Sequence, residues 1–161
     1  MTKDERHHAT IDITRHYKVT PSRLFEALTN PEARRKWYLG GSGWTVHAAS
    51  FDSVTCGATE HSRMSPPGNL VEITNDMTWC EVVPDRRLVS TFYMTLDGDF
   101  ISASVQTLSL KKVDGGTELH LLEQGVFNDP DMTGREAGTH SLLESLGTYL
   151  ESANADQVEP V

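Results

Sequence analysis

"VTPSRLFEALTNPEARRKWY", residues 19–38, uses the same device twice. Thr20 and then Asn30 offer a side-chain oxygen to the unpaired N–H groups of a helix start. Pro21 and Pro31 follow as first helical residues, where the N–H that proline lacks would have no partner anyway. Leu24, Phe25 and Leu28 fall on one helical face. Glu32 suits the positive end of the second helix, and Gly40-Gly41 stops it. The stretch therefore predicts two short helices in series. The second ends on Trp37 and Tyr38, and Trp44 follows a GGSG link. Arg34-Arg35-Lys36, the only basic run, reads as one turn of solvated helix face.

Upstream, residues 9–19 alternate with Ile11, Ile13 and Tyr17 in one phase, which predicts a half-buried strand. Downstream, from Trp44 to Phe127, short alternating runs are separated by SPPGN, PDR, DGD and DGG, residues that reverse a chain at low cost. This predicts a meander of about six antiparallel strands. The last element begins at a T-x-x-E pair, Thr133 and Glu136, read as a capping box. Leu142, Leu146, Tyr149 and Ala153 then recur at helical spacing, with Leu143 and Leu150 widening the stripe. A long amphipathic helix after a curved sheet must bury its stripe on that sheet. The expected class is α+β: about six to seven antiparallel strands around a C-terminal helix. One domain is expected over residues 9–153, with flexible tails at 1–8 and 154–161.

A chain of 161 residues can bury a sizeable core. Its net charge of −9 argues against phosphate-backbone contacts with nucleic acid and against docking on an anionic membrane. No apolar run suffices for a membrane span, and MTKDERHHAT has no apolar signal core, so a cytoplasmic location is expected. Cys56 and Cys80 lack C-x-x-C spacing, which suggests reduced thiols. The scattered histidines include no H-E-x-x-H pattern, so neither a metal nor a cofactor is expected. There is no nucleophile elbow and no phosphate loop. Oligomeric state, monomer or homodimer, is left open.

The order strand, two short helices, six strands, long helix resembles the helix-grip plan of the SRPBCC superfamily, which includes START domains, birch-pollen-type allergens and polyketide cyclases. Four stretches resemble the branch named for the activator of the heat-shock protein 90 ATPase: residues 19–38, CEVVPDRRLVSTF, VDGGTELHLLEQG and GTHSLLESLGTYL. The likeness spans about Ile11 to Leu150. It implies a cavity between sheet and C-terminal helix that holds a small, largely hydrophobic molecule. The alternatives it leaves are a chaperone-associated interaction domain and a cyclase or dehydratase.

Pairing Met64 with about Glu72 places Cys56 near Cys80 and His61 near Asn75, and puts His61, Arg63, Met77 and Trp79 on one face. Matching to the family turns that face inward, so Phe92 and Glu123 share the expected cavity. His61 and Glu123 become candidate acid–base groups. An interior Arg63 needs a carboxylate, and Glu123 and Glu81 are nearest by strand phase. It either forms a structural ion pair, points to solvent, or holds an anionic or carbonyl-bearing ligand. Trp37 suits the core or the pocket wall, Trp44 its rim, and His140 either the pocket or a solvated helix face.

Overall fold

The computed structural model describes residues 5–39, 41, 43–130 and 132–156. The expected stop at Gly40, both outermost tails and the side chain of Ala153 lie outside the described residues. The elements are β1 (His7–Tyr17), α1 (Pro21–Thr29), α2 (Pro31–Trp37), β2 (Thr45–Phe51), β3 (Thr59–Ser65), β4 (Ile73–Val83), β5 (Arg87–Leu96), β6 (Asp99–Val113), β7 (Gly116–Phe127) and α3 (Thr133–Asp156). The seven strands form one antiparallel sheet in the order β1-β7-β6-β5-β4-β3-β2. This is the α+β helix-grip arrangement. β1 begins two residues before the predicted strand, and α3 runs three residues past its expected end.

Both helix starts form as read. Thr20 Oγ1 accepts from the Arg23 N–H at 3.2 Å, and Asn30 Oδ1 accepts from the N–H groups of Glu32 and Ala33 at 2.9 and 3.3 Å. The DGD turn is a tight hairpin with Leu96 opposite Asp99. Asp97 and Gly98 both take positive φ, 49° and 86°, as the right-handed twist of a two-residue hairpin requires. The start of α3 differs from its reading. Thr133 is the first helical residue instead of the cap; the Met132 carbonyl accepts from the Glu136 N–H at 2.9 Å, and Asp129 Oδ2 accepts from the Gly134 N–H at 3.4 Å. The deepest line of α3 is Thr139, Leu143, Leu146 and Leu150, while Leu142 and Tyr149 are half-buried flanks.

The β3–β4 register is one residue away from the expected one. Met64 faces Ile73, and His61 faces Asp76. The cause lies outside the hairpin. Glu72 is tied to the β5–β6 turn, its N–H donating to Asp97 Oδ1 at 2.7 Å and its carbonyl accepting from the Asp97 N–H at 2.8 Å. The β3–β4 ladder therefore starts at Ile73. Because side chains alternate, a one-residue slip reverses the faces of β3 relative to β4. Glu60 and Ser62 point inward beside Met77 and Asn75, and His61 and Arg63 point outward.

The concave face of the sheet is graded. At one end Leu88, Leu108, Leu110, Leu119 and Leu121 pack in one core with Leu24, Leu28, Leu143, Leu146 and Leu150. Toward the β5–β6 turn the same face becomes polar through Ser90, Ser104 and Ser102.

Candidate functional site

Two buried ion pairs occupy the polar end of the grip. Arg34, on the inward side of α2, donates from Nε and Nη2 to both carboxylate oxygens of Glu60 at 2.6 and 2.5 Å, and from Nη1 to the Leu28 carbonyl at 3.2 Å. Both residues are almost fully enclosed, Arg34 being 2% and Glu60 4% exposed. The guanidinium carbon lies 4.2 Å from the ring centre of Tyr38 and 5.3 Å from that of Trp79, with Trp37 and Phe51 just beyond. A bidentate pair among aromatic faces compensates the desolvation of both charges. Burial pushes the Tyr38 phenol above its ordinary value against the opposing pull of Arg34, so its oxygen is a neutral hydroxyl that accepts from Asn75 Nδ2 at 2.9 Å.

The second pair joins Glu123 of β7 to Arg135, which reaches in from the first turns of α3. Ser104 Oγ and Gln106 Nε2 also donate to the Glu123 carboxylate, at 2.9 and 3.0 Å. Among the described residues, the buried side-chain atoms with no hydrogen-bond partner include Ser62 Oγ, Asn75 Oδ1, Trp79 Nε1, Ser102 Oγ and Arg135 Nε near the two pairs, besides His7 Nε2 and Arg23 Nε elsewhere. Buried polar atoms are nearly always paired, so a concentration of unpaired ones within one end of a fold is unusual.

Met77, Trp79, Phe92 and Glu123 line this inner face together. Trp37 is core, its Nε1 donating to the Ala27 carbonyl at 2.8 Å. Trp44 is half-buried just before β2. His61 and Arg63 do not join the set: on the outer face His61 Nδ1 is 2.6 Å from Asp76 Oδ1, and Arg63 Nε is 3.3 Å from Glu72 Oε1. Their expected place beside Met77 and Trp79 fails because of the register set at Ile73. Neither Glu123 nor Glu81 is the partner of Arg63; Glu81 pairs with Arg87. His140 is on the exposed side of α3, its Nδ1 3.2 Å from Arg15, and the adjacent Thr139 takes the inward position.

A surface depression of about 740 Å³ lies along α3 beside Arg15, Lys36, His140 and Glu144. Another of about 550 Å³ lies on the sheet near Asp76, Thr91, Tyr93, Val105 and Gln124. Neither is lined by Arg34, Glu60, Glu123 or Arg135.

The local pattern gave no sign of Arg34, Glu60 or Arg135. The basic run Arg34-Arg35-Lys36 reads as solvated, yet the position of Arg34 one residue after Ala33 and three before Trp37 places it on the buried face of α2. Among the described residues no group of three or more His, Cys, Asp and Glu side chains is arranged to hold a metal ion, and no helix is long and apolar enough to cross a membrane.

The family model described as Activator of Hsp90 ATPase homolog 1-like protein matches residues 18–151. The chain belongs to this family. The chain is also similar to solved structures. A protein from Rhizobium leguminosarum is 31% identical, with a TM-score of 0.84 over 92% of this chain and 97% of its own. A protein from Rhizobium loti is 35% identical, with a TM-score of 0.80 over 90% of this chain and 99% of its own. A protein from Chromobacterium violaceum, 19% identical with a TM-score of 0.73 over 88% of this chain and 96% of its own, shares the fold. No curated protein matches this chain.

Proposed function

We propose that this Activator of Hsp90 ATPase homolog 1-like protein binds a small, largely hydrophobic molecule with a hydrogen-bonding head group between its sheet and α3. The observation that carries this reading is the set of unpaired buried atoms, Ser62 Oγ, Asn75 Oδ1, Trp79 Nε1 and Ser102 Oγ, beside the apolar walls Met77 and Phe92. Such an arrangement of apolar wall and few polar anchors is what small-molecule sites share. Because these polar anchors are buried, a ligand must displace a side chain to reach them. Arg135 is the candidate: its side chain is 15% exposed whereas that of its partner Glu123 is 2% exposed.

The uncharged dye Nile red tests this. Wild-type protein is expected to bind it with a blue-shifted emission, and Ser62→Leu, which removes a polar anchor and adds bulk beside Met77 and Asn75, to weaken binding about tenfold, the effect of about 1.4 kcal/mol. Thermal denaturation serves as the control for folding. Absence of dye binding by the wild type would defeat the proposal. That result would favour the second reading, a protein-interaction domain, which the family description supports.

A further inference from the structure

Cys56 and Cys80 are 24 residues apart in sequence and adjacent in space: Cys56 Sγ donates to the Cys80 carbonyl at 3.1 Å. Cys56 belongs to a tight turn closed by the Ala58 N–H on the Thr55 carbonyl at 3.0 Å, in which Gly57 takes φ +90°. The turn is tied to β4 by two further bonds. The Gly57 N–H donates to the Trp79 carbonyl at 2.6 Å, and the Trp79 N–H to the Ala58 carbonyl at 2.9 Å. Cys80 is the extra residue of a β4 bulge, between Trp79, which pairs with Ser90, and Glu81, which pairs with Val89. It is thus free of the β4–β5 ladder. Both thiols are exposed. With the sulfur-to-carbonyl contact added to standard bond lengths, the two Cα atoms lie at most about 8 Å apart. Cys80 Sγ rests 3.6 Å from the Thr78 carbonyl, and the bound on the Cα atoms overlaps the disulfide range, roughly 4.4–6.8 Å.

We infer that Cys56 and Cys80 form a modification site, closing as an intramolecular disulfide when the protein meets hydrogen peroxide. One thiolate attacks the peroxide oxygen. The O–O bond breaks, and the products are a sulfenic acid and, after protonation, water. The second thiol, losing its proton, attacks the sulfenic sulfur; the S–S bond forms and a second water leaves. Two electrons pass from the thiols to the peroxide. The bridge pins the 55–58 turn to the strand that carries Trp79, a residue 1% exposed on the inner face. The inference rests on the thiol geometry and is independent of the ligand reading.

Full-length protein treated with hydrogen peroxide should lose the mass of two hydrogen atoms and yield a Cys56–Cys80 cross-linked peptide. It should melt about 5–10 °C higher than the reduced form, and dithiothreitol should reverse both changes. Cys56→Ser and Cys80→Ser should each abolish the mass loss and the Tm rise. Added oxygen on separate thiols, disulfide-linked dimers, or a bridge that leaves Tm unchanged would each overturn the inference.

Discussion

Arg34 owes its place to helix geometry and its tolerance to Glu60. On α2 it shares the buried face with Ala33 and Trp37, so its charge enters the protein whatever its neighbours in sequence suggest. The bidentate contact with Glu60 makes that burial sustainable. Removing one partner strands the other charge in the interior. Arg34→Met is therefore expected to destabilise the fold by about 3–5 kcal/mol in urea unfolding, with Glu60→Leu similar. The double variant Arg34→Met/Glu60→Leu should lose less than either single change, because no orphaned charge is left behind. A double variant whose loss equals the sum of the two would contradict this account. Trp37 was legible at this scale as a helix-terminal core residue. Glu60 was not, because its direction depends on a register that β3 does not contain.

Among the elements, β6 and β7 approach closely at Gly125. A Cβ on Gly125 would meet the Ala103 carbonyl and come 2.6 Å from the Ser104 Cβ across the ladder. Gly125→Ala is expected to cost several kcal/mol or to prevent folding, since backbone and not a flexible side-chain end stands in the way. Gly138 on α3 is the counterpart. It is exposed and a Cβ there meets nothing within 4 Å, so Gly138→Ala should stabilise by up to about 1 kcal/mol. Equilibrium unfolding of the two variants checks both signs. The helix starts at Thr20 and Asn30 and the turn at Asp97-Gly98 were legible because each is fixed by residues within four positions. The start of α3 was displaced by one residue because Met132 and Asp129 supply its first bonds.

Over the whole molecule, Tyr17 joins sheet to helix: its hydroxyl donates to the Leu143 carbonyl of α3 at 2.8 Å. Burial pushes its phenol from 10.0 up to about 12, with Arg15 opposing and Glu144 adding to the rise. A folded-state value above the unfolded one means that the stabilisation is complete below about pH 10. Between pH 10 and 12 the unfolded chain has released its proton while the folded protein still holds it, so stability falls as pH rises. Urea midpoints should drop over that window, and Tyr17→Phe should flatten the drop; an equal slope in both proteins would show that other groups control it. The sequence by itself determined the elements, their order, the capped helices, the hairpin turns and the greasy-to-polar gradient of the sheet, because periodicity and turn chemistry act within a few residues. Only the tertiary structure decided which face of β3 turns inward, through the clasp between Glu72 and Asp97, and that Arg34–Glu60 and Arg135–Glu123 form ion pairs at the polar end of the grip. Those outcomes depend on contacts between segments far apart in the chain, and a local pattern carries no record of them.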